Sequence, residues 1–135
     1  MKAIMLVLLL ISGCISPIIG DSTQKIKLES EIIPSKISLE EPQPLSLEVR
    51  VTNIGKSIEI VVADATGTEG LNVSKPSRTT LALKQGESRI IVFNATLTRD
   101  AVPGDYRIDV QVKTESGDVV SSVARLRVVA KKGLI

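Results

Sequence analysis

Residues 45–53 read LSLEVRVTN, and their alternation decides the fold class. Apolar side chains stand at every second position, with polar side chains between them: Leu45, Leu47, Val49 and Val51. Because successive side chains of a β-strand point to opposite faces, this spacing predicts a strand with one buried and one wetted face. Such half-buried strands are typical of antiparallel sheets.

The same period of two recurs on both sides of this stretch. Six further segments show it, at residues 25–33, 57–65, 79–83, 87–98, 105–114 and 118–130. Turn-forming residues separate them, and no stretch of ten residues has a helical period. Residues 25–130 are therefore expected to form a single immunoglobulin-like antiparallel β-sandwich of about seven strands.

The second half of this region resembles a known group of domains. LKQGESRIIVFNATLTRDAVPGDYRIDVQVKTESGD, residues 83–118, is similar to the NEW3/CARDB-type immunoglobulin-like domains of prokaryotic surface proteins, and LSLEVRVTNIGKS resembles their first-half strand. The likeness covers residues 43–130 and implies a spacer, adhesion module or accessory part. A fold of this kind does not define a function. Pro103 and Gly104 precede Tyr106, and this order is typical of a tyrosine whose hydroxyl hydrogen-bonds back to the preceding corner of the sandwich.

The N-terminus has the layout of a secretory signal. MKAIMLVLLLISGC places Lys2 before an apolar run over residues 3–11, and small residues follow it. This run is too short to span a bilayer as a helix, which takes about 20 residues. Residues 1–13 are therefore interpreted as a signal peptide.

Residues 11–14, Ile-Ser-Gly-Cys, resemble the lipobox of prokaryotic lipoproteins. The resemblance implies that Cys14 becomes the lipid-bearing first residue of an extracytoplasmic protein anchored to the cell membrane. Residues 14–24 would then be the lipidated cysteine and a tether, and residues 131–135 a tail. Three alternatives stay open: an uncleaved anchor, cleavage after Gly20, and a buried core thiol.

Composition argues against several functions. The chain has no His or Trp, one Tyr, one Phe, one Cys and a net charge of +2. Without histidine it lacks the usual general base and the commonest metal ligand, so neither an enzyme nor a cofactor or metal site is expected. A serine–lysine pair stays open. The loop acids Glu40, Glu41, Glu115 and Asp118 lack the spacing of an EF-hand. Nucleic acid is not expected as a partner because the charge is near neutral.

Two sequons, at Asn72 and Asn94, are candidate N-glycosylation sites. Asn72 is expected in a loop and Asn94 on an outward strand face. If Phe93 faces inward, other apolar residues face outward and could form a docking patch: Ile90, Val92, Val61, Val119, Val123 and Val129. The sequence thus favours a membrane-anchored surface lipoprotein with a non-enzymatic binding, adhesion or spacer module and a protein partner at the cell surface. The alternative is an accessory or chaperone-like subunit that pairs through an edge strand.

Overall fold

The computed structural model describes residues 25–130, and within that range the regular elements are all strands. Alternating apolar residues produce them as expected. The strands are β1 (Ile26–Ile33), β2 (Lys36–Ser38), β3 (Leu45–Asn53), β4 (Glu59–Gly67), β5 (Leu71–Ser74), β6 (Thr80–Leu83), β7 (Ser88–Leu97), β8 (Gly104–Thr114) and β9 (Val119–Val129). The predicted all-β sandwich is confirmed, with β2 and β5 as two short strands beyond the expected seven.

The strands form two sheets. The five-stranded sheet has the order β2-β9-β8-β4-β6, and the four-stranded sheet has the order β1-β3-β7-β5. All neighbours are antiparallel except β2 and β9, which are parallel. The chain passes from β1 in one sheet to β2 in the other through a cis peptide bond between Ile33 and Pro34.

The core lies between the sheets and is almost entirely aliphatic. β3 contributes all four of its alternating apolar residues, and β7 contributes Phe93, which is fully buried. Tyr106 is the other aromatic residue of the core. At one side of the sandwich, β1 and β9 meet where the hydroxyls of Ser30 and Ser122 are hydrogen-bonded at 2.8 Å. Volume in this core therefore comes from many Leu, Ile and Val side chains.

The inward face of β4 differs from the sequence-based expectation. Val61 was expected to face outward, yet it is fully buried, and Ile60 and Val62 are exposed instead. Both faces of this strand carry apolar residues, so alternation alone does not select the core face. The pairing with β8, where Ala63 lies opposite Val112, decides it.

The two ends of the sandwich are distinct. At the entry end, where the described chain starts at Lys25, lie the β3–β4 loop, the β6–β7 turn and the β8–β9 turn. At the opposite, corner end, the β7–β8 loop meets the β4–β5 turn, since the Thr98 N–H donates to the Gly70 carbonyl at 2.9 Å. In the part of the chain that the structure describes, no helix is long and apolar enough to cross a membrane.

Candidate functional site

Asn53 organises the entry end. Its side chain is fully buried, and its amide nitrogen donates to the carbonyls of Ser57 at 2.8 Å and Leu83 at 2.9 Å. Its amide oxygen accepts from the Gly55 N–H at 2.9 Å. The Asn53 backbone also bonds to the β6–β7 turn, donating to Glu87 and accepting from Gly86. One side chain thus fixes the β3–β4 loop and ties it to the neighbouring turn.

A buried acid lies next to this loop. Glu59, the first residue of β4, is 5% exposed. Its carboxylate lies 3.7 Å from the Lys25 ammonium and accepts from the Ser116 hydroxyl at 3.5 Å. Since a buried carboxylate is costly unless it is paired, Lys25 has a structural task at the point where the chain enters the sandwich.

The loop held by Asn53 displays apolar side chains to solvent. Ile54 is 54% exposed and Ile58 is 65% exposed, and Lys56 between them is also exposed. We call residues 54–58 the isoleucine loop. The Ile54 N–H donates to the Lys25 carbonyl at 2.8 Å, so the loop contacts the first described residue directly. The apolar period did not indicate this loop, because residues 54–56 lie between two predicted strands and residues 57 and 58 were assigned to the second of them.

The neighbouring β6–β7 turn is also organised by charge. The Glu87 carboxylate accepts from the Lys84 N–H at 2.9 Å and from the Arg89 guanidinium at 3.0 Å. These two hydrogen bonds hold the pKa of Glu87 below its ordinary value, and the bond from the Lys84 N–H has the larger effect. The turn is solvent-exposed, and it places the Lys84 side chain at the same end as the isoleucine loop.

The corner end is fixed by the tyrosine that the sequence indicated. The Tyr106 hydroxyl donates to the Val102 carbonyl at 2.5 Å and accepts from the Val102 N–H at 3.0 Å. Gly70 lies against the ring with a φ of +94°, and a Cβ there would lie 2.9 Å from the Tyr106 Cε2. The predicted tyrosine corner is confirmed, and its role is structural.

Apolar residues are exposed on both outer faces of the sandwich. Ile90 and Val92 of β7, and Val119 and Val123 of β9, face outward as expected. Val129 is partly buried. On β7, Val92 lies opposite Glu48, which in turn lies opposite Glu31 of β1. The expected apolar docking patch is thus divided between two faces, and charged neighbours interrupt it.

The two sequons are brought together by strand pairing. Asn72 lies on strand β5 and not in a loop, which corrects the sequence-based expectation; Asn94 lies on β7, and both are exposed. In the register of the two strands, Asn72 is opposite Thr96 and Ser74 is opposite Asn94. Each acceptor asparagine therefore faces the hydroxyl residue of the other sequon. Local sequence cannot reveal this pairing, because it depends on which strands are neighbours.

The outer face of the five-stranded sheet carries a shallow cleft of about 430 Å³. Its lining residues are Asp64, Thr66, Asp109, Val110, Gln111, Ser121, Ser122 and Val123. Both acids are ion-paired, Asp64 with Lys75 at 3.2 Å and Asp109 with Arg107 at 3.5 Å.

Among residues 25–130, no group of three or more acidic or cysteine side chains is gathered around a possible metal position. Cys14 and the residues interpreted as a signal peptide, a tether and a tail lie outside the described residues.

Similarity to known proteins is found in the fold of the chain. No family model matches the chain, and no curated protein matches its sequence. A FixG-related protein from Vibrio parahaemolyticus is similar in structure, with a TM-score of 0.58 and 11% identity over 78% of this chain and 97% of that one. The likeness is one of fold.

Two further solved structures agree. Escherichia coli alpha-2-macroglobulin, from domain MG7 to its C-terminus, gives a TM-score of 0.64 and 14% identity over 78% of this chain, which spans only 16% of that one. The cupredoxin domain of amoB from Nitrosocaldus yellowstonii gives 0.56 and 10% identity over 81% of this chain and 90% of that one. A blue-copper site needs histidine ligands, and the present sequence has no histidine. These neighbours show a β-sandwich module.

Proposed function

We propose that this protein is an extracytoplasmic lipoprotein that presents a non-enzymatic immunoglobulin-like module at the cell surface. Lipid on Cys14 would anchor the chain, residues 15–24 would space it from the membrane, and the sandwich would bind a partner or act as a spacer. One acyl chain holds a protein on a membrane only marginally, so stable anchoring needs two.

The observation that carries this proposal is the separation of the anchor motif from the module. The first strand begins at Ile26, beyond the lipobox-like cysteine, and the entry end is tied down at Lys25 through Glu59 and Ile54. The module is thus held together at the point where the preceding segment joins it. This arrangement supports a folded domain displayed on an N-terminal tether.

Membrane fractionation of cells that express the full chain tests the anchor. The wild-type protein should pellet with membranes and enter the detergent phase on Triton X-114 partition, whereas Cys14→Ser should leave that phase. Ser12→Ala, which keeps a small residue two positions before the cysteine, is the matched control and should behave as wild type. A Cys14→Ser protein that partitions like the wild type would contradict lipidation.

A second function, as an accessory subunit, is favoured by the open edge of β7. β5 pairs only with residues 94–97 of β7, and no described strand pairs with that edge of residues 88–93. Ile90 and Val92 are exposed on this segment. A partner strand could extend the four-stranded sheet there through main-chain hydrogen bonds.

Affinity purification from detergent-solubilised membranes separates the two functions. A stoichiometric partner that is lost in Val92→Lys, and kept in the control Val123→Lys on the other sheet, would favour the accessory subunit. Purification of the module without a stoichiometric partner would favour the spacer or transient binding module.

A further inference from the structure

We propose that the isoleucine loop is a membrane-contact site. Ile54 and Ile58 would insert into the interface of the bilayer that holds the lipid on Cys14, and Lys56 would contact lipid phosphate. The inference rests on the proposed lipid anchor. It adds that the sandwich binds the membrane with its entry end, so that its corner end points away from the surface.

The position of the loop supports this contact. The Ile54 N–H donates to the Lys25 carbonyl, and Gly55 lies against the Lys25 side chain, since a Cβ on Gly55 would lie 3.3 Å from the Lys25 Cβ. The loop is therefore directly beside the residue to which the preceding segment is joined. A membrane anchor on that segment therefore holds the entry end, and this loop with it, near the lipid surface.

The length of the intervening chain makes even a weak contact effective. Residues 15–24 separate Cys14 from the sandwich, and a fully extended chain of this length reaches about 33 Å. Short linkers give an effective concentration in the millimolar range. A site with a dissociation constant of that order would therefore be substantially occupied once the chain is anchored.

The chemistry of the loop fits a bilayer interface. Two half-exposed isoleucines flank a lysine, whose long stem can lie among acyl chains while its ammonium stays with the headgroups. The hydrogen bonds of Asn53 already fix the backbone, so insertion does not have to order it. The patch is also small compared with the roughly 800 Å² per partner of a stable protein interface, which favours a lipid surface over a protein.

Charges around the loop predict attraction to anionic lipid and a dependence on salt. Lys56 and Lys84 point to attraction by anionic lipid, but Glu115 and Asp118 on the β8–β9 turn lie at the same end. The Glu87 carboxylate accepts hydrogen bonds from the Lys84 backbone N–H and the Arg89 guanidinium, and Glu59 is buried against Lys25. Lys27 and Lys113 are also exposed at this end, so the exposed charges are net positive, and anionic lipid should strengthen the contact while added salt should weaken it.

Tryptophan scanning of the full-length lipidated protein in liposomes tests the site, because the natural chain contains no tryptophan. Ile58→Trp reports on the loop. Val102→Trp is the matched control, because Val102 is 64% exposed at the corner end. With brominated lipids, the emission of Ile58→Trp should shift to shorter wavelength and be quenched, whereas Val102→Trp should be unaffected. Adding Lys56→Glu to Ile58→Trp should reduce the quenching.

The outcomes separate the contact from the anchor. If the protein floats with the liposomes but Ile58→Trp is not quenched, the contact is refuted and the anchor stands. If Ile58→Trp is shifted but not quenched, a protein or a second copy covers the loop, and the contact is again refuted. If the lipidated chain does not float with liposomes at all, the anchor fails and the contact fails with it. Circular dichroism of each variant checks that it is folded.

Discussion

The two ends of the sandwich are stabilised in different ways. At the entry end a fully buried asparagine, Asn53, makes three side-chain hydrogen bonds to backbone groups of a loop and a neighbouring strand. At the corner end Tyr106 makes two, both to Val102. A buried side chain therefore fixes the loop backbone at each end, but the loop at the entry end exposes two isoleucines, Ile54 and Ile58, whereas the β7–β8 loop exposes Val102.

This difference is the reason why the proposed membrane contact is assigned to the entry end. Loops that carry function are commonly positioned by a rigid scaffold. At the entry end, the buried amide of Asn53 specifies the loop, and Ile54 and Ile58 project from it. At the corner end, the tyrosine closes the β7–β8 connection and leaves Val102 as an isolated exposed residue, which is ordinary on a protein surface. Substitutions of Asn53 at one end, and of Tyr106 and Gly70 at the other, test this contrast.

Among the changes at the two ends, Asn53→Ala should have the largest effect on stability. It removes the three side-chain hydrogen bonds to Ser57, Leu83 and Gly55, each worth about 1 kcal/mol, so we expect a loss of about 3 kcal/mol in the free energy of unfolding. Chemical denaturation measures it. The matched control is Asn72→Ala, an exposed asparagine on β5, which should change stability by less than about 0.5 kcal/mol. Equal effects of the two substitutions would refute the role of Asn53.

Gly70→Ala should have the next largest effect. The residue has a φ of +94°, and the added Cβ would lie 2.9 Å from the Tyr106 ring. Backbone strain and displacement of the ring together should cost about 2 kcal/mol. Gly86→Ala at the entry end is the control, because its φ is +78° and nothing lies within 4 Å of its Cβ position. A loss as large in Gly86→Ala would show that contact with Tyr106 contributes nothing.

Tyr106→Phe should cost less than either change. The ring stays in the core, and only the two bonds to Val102 are lost, so we expect about 1 kcal/mol. Thermal unfolding of Tyr106→Phe and of Asn53→Ala under the same conditions compares the contributions of the two residues to stability. If Tyr106→Phe destabilises the protein more than Asn53→Ala, the ranking of the two ends is wrong.

Ile54→Ser with Ile58→Ser should leave stability nearly unchanged, within about 0.5 kcal/mol, because both side chains are largely in water already. Ile32→Ser, at a buried position of β1, is the control and should cost several kcal/mol. A large loss in the loop variant would mean that the isoleucines pack within the domain and are not free for a membrane.

Alternation of apolar residues was sufficient to predict the sandwich, and Pro103 and Gly104 before Tyr106 indicated the tyrosine corner. β2 and β5 were missed because their three and four residues show too little alternation, whereas the equally short β6 was found from Leu81 and Leu83. The prediction that Val61 faces outward was wrong, because β4 is apolar on both sides and only its pairing with β8 selects the face that is buried. The burial of Asn53 could not be predicted, since an asparagine at the end of a strand is equally typical of an exposed turn.

The most direct test of the lipoprotein proposal is the intact mass of the protein extracted from the membranes of the cells that make it. Anchoring at Cys14 predicts a polypeptide that begins at this residue and carries the added mass of lipid. Extra mass on Asn72 or Asn94 would report glycosylation in the same spectrum. A chain that begins at Met1 or Asp21, with no lipid, would contradict the anchor.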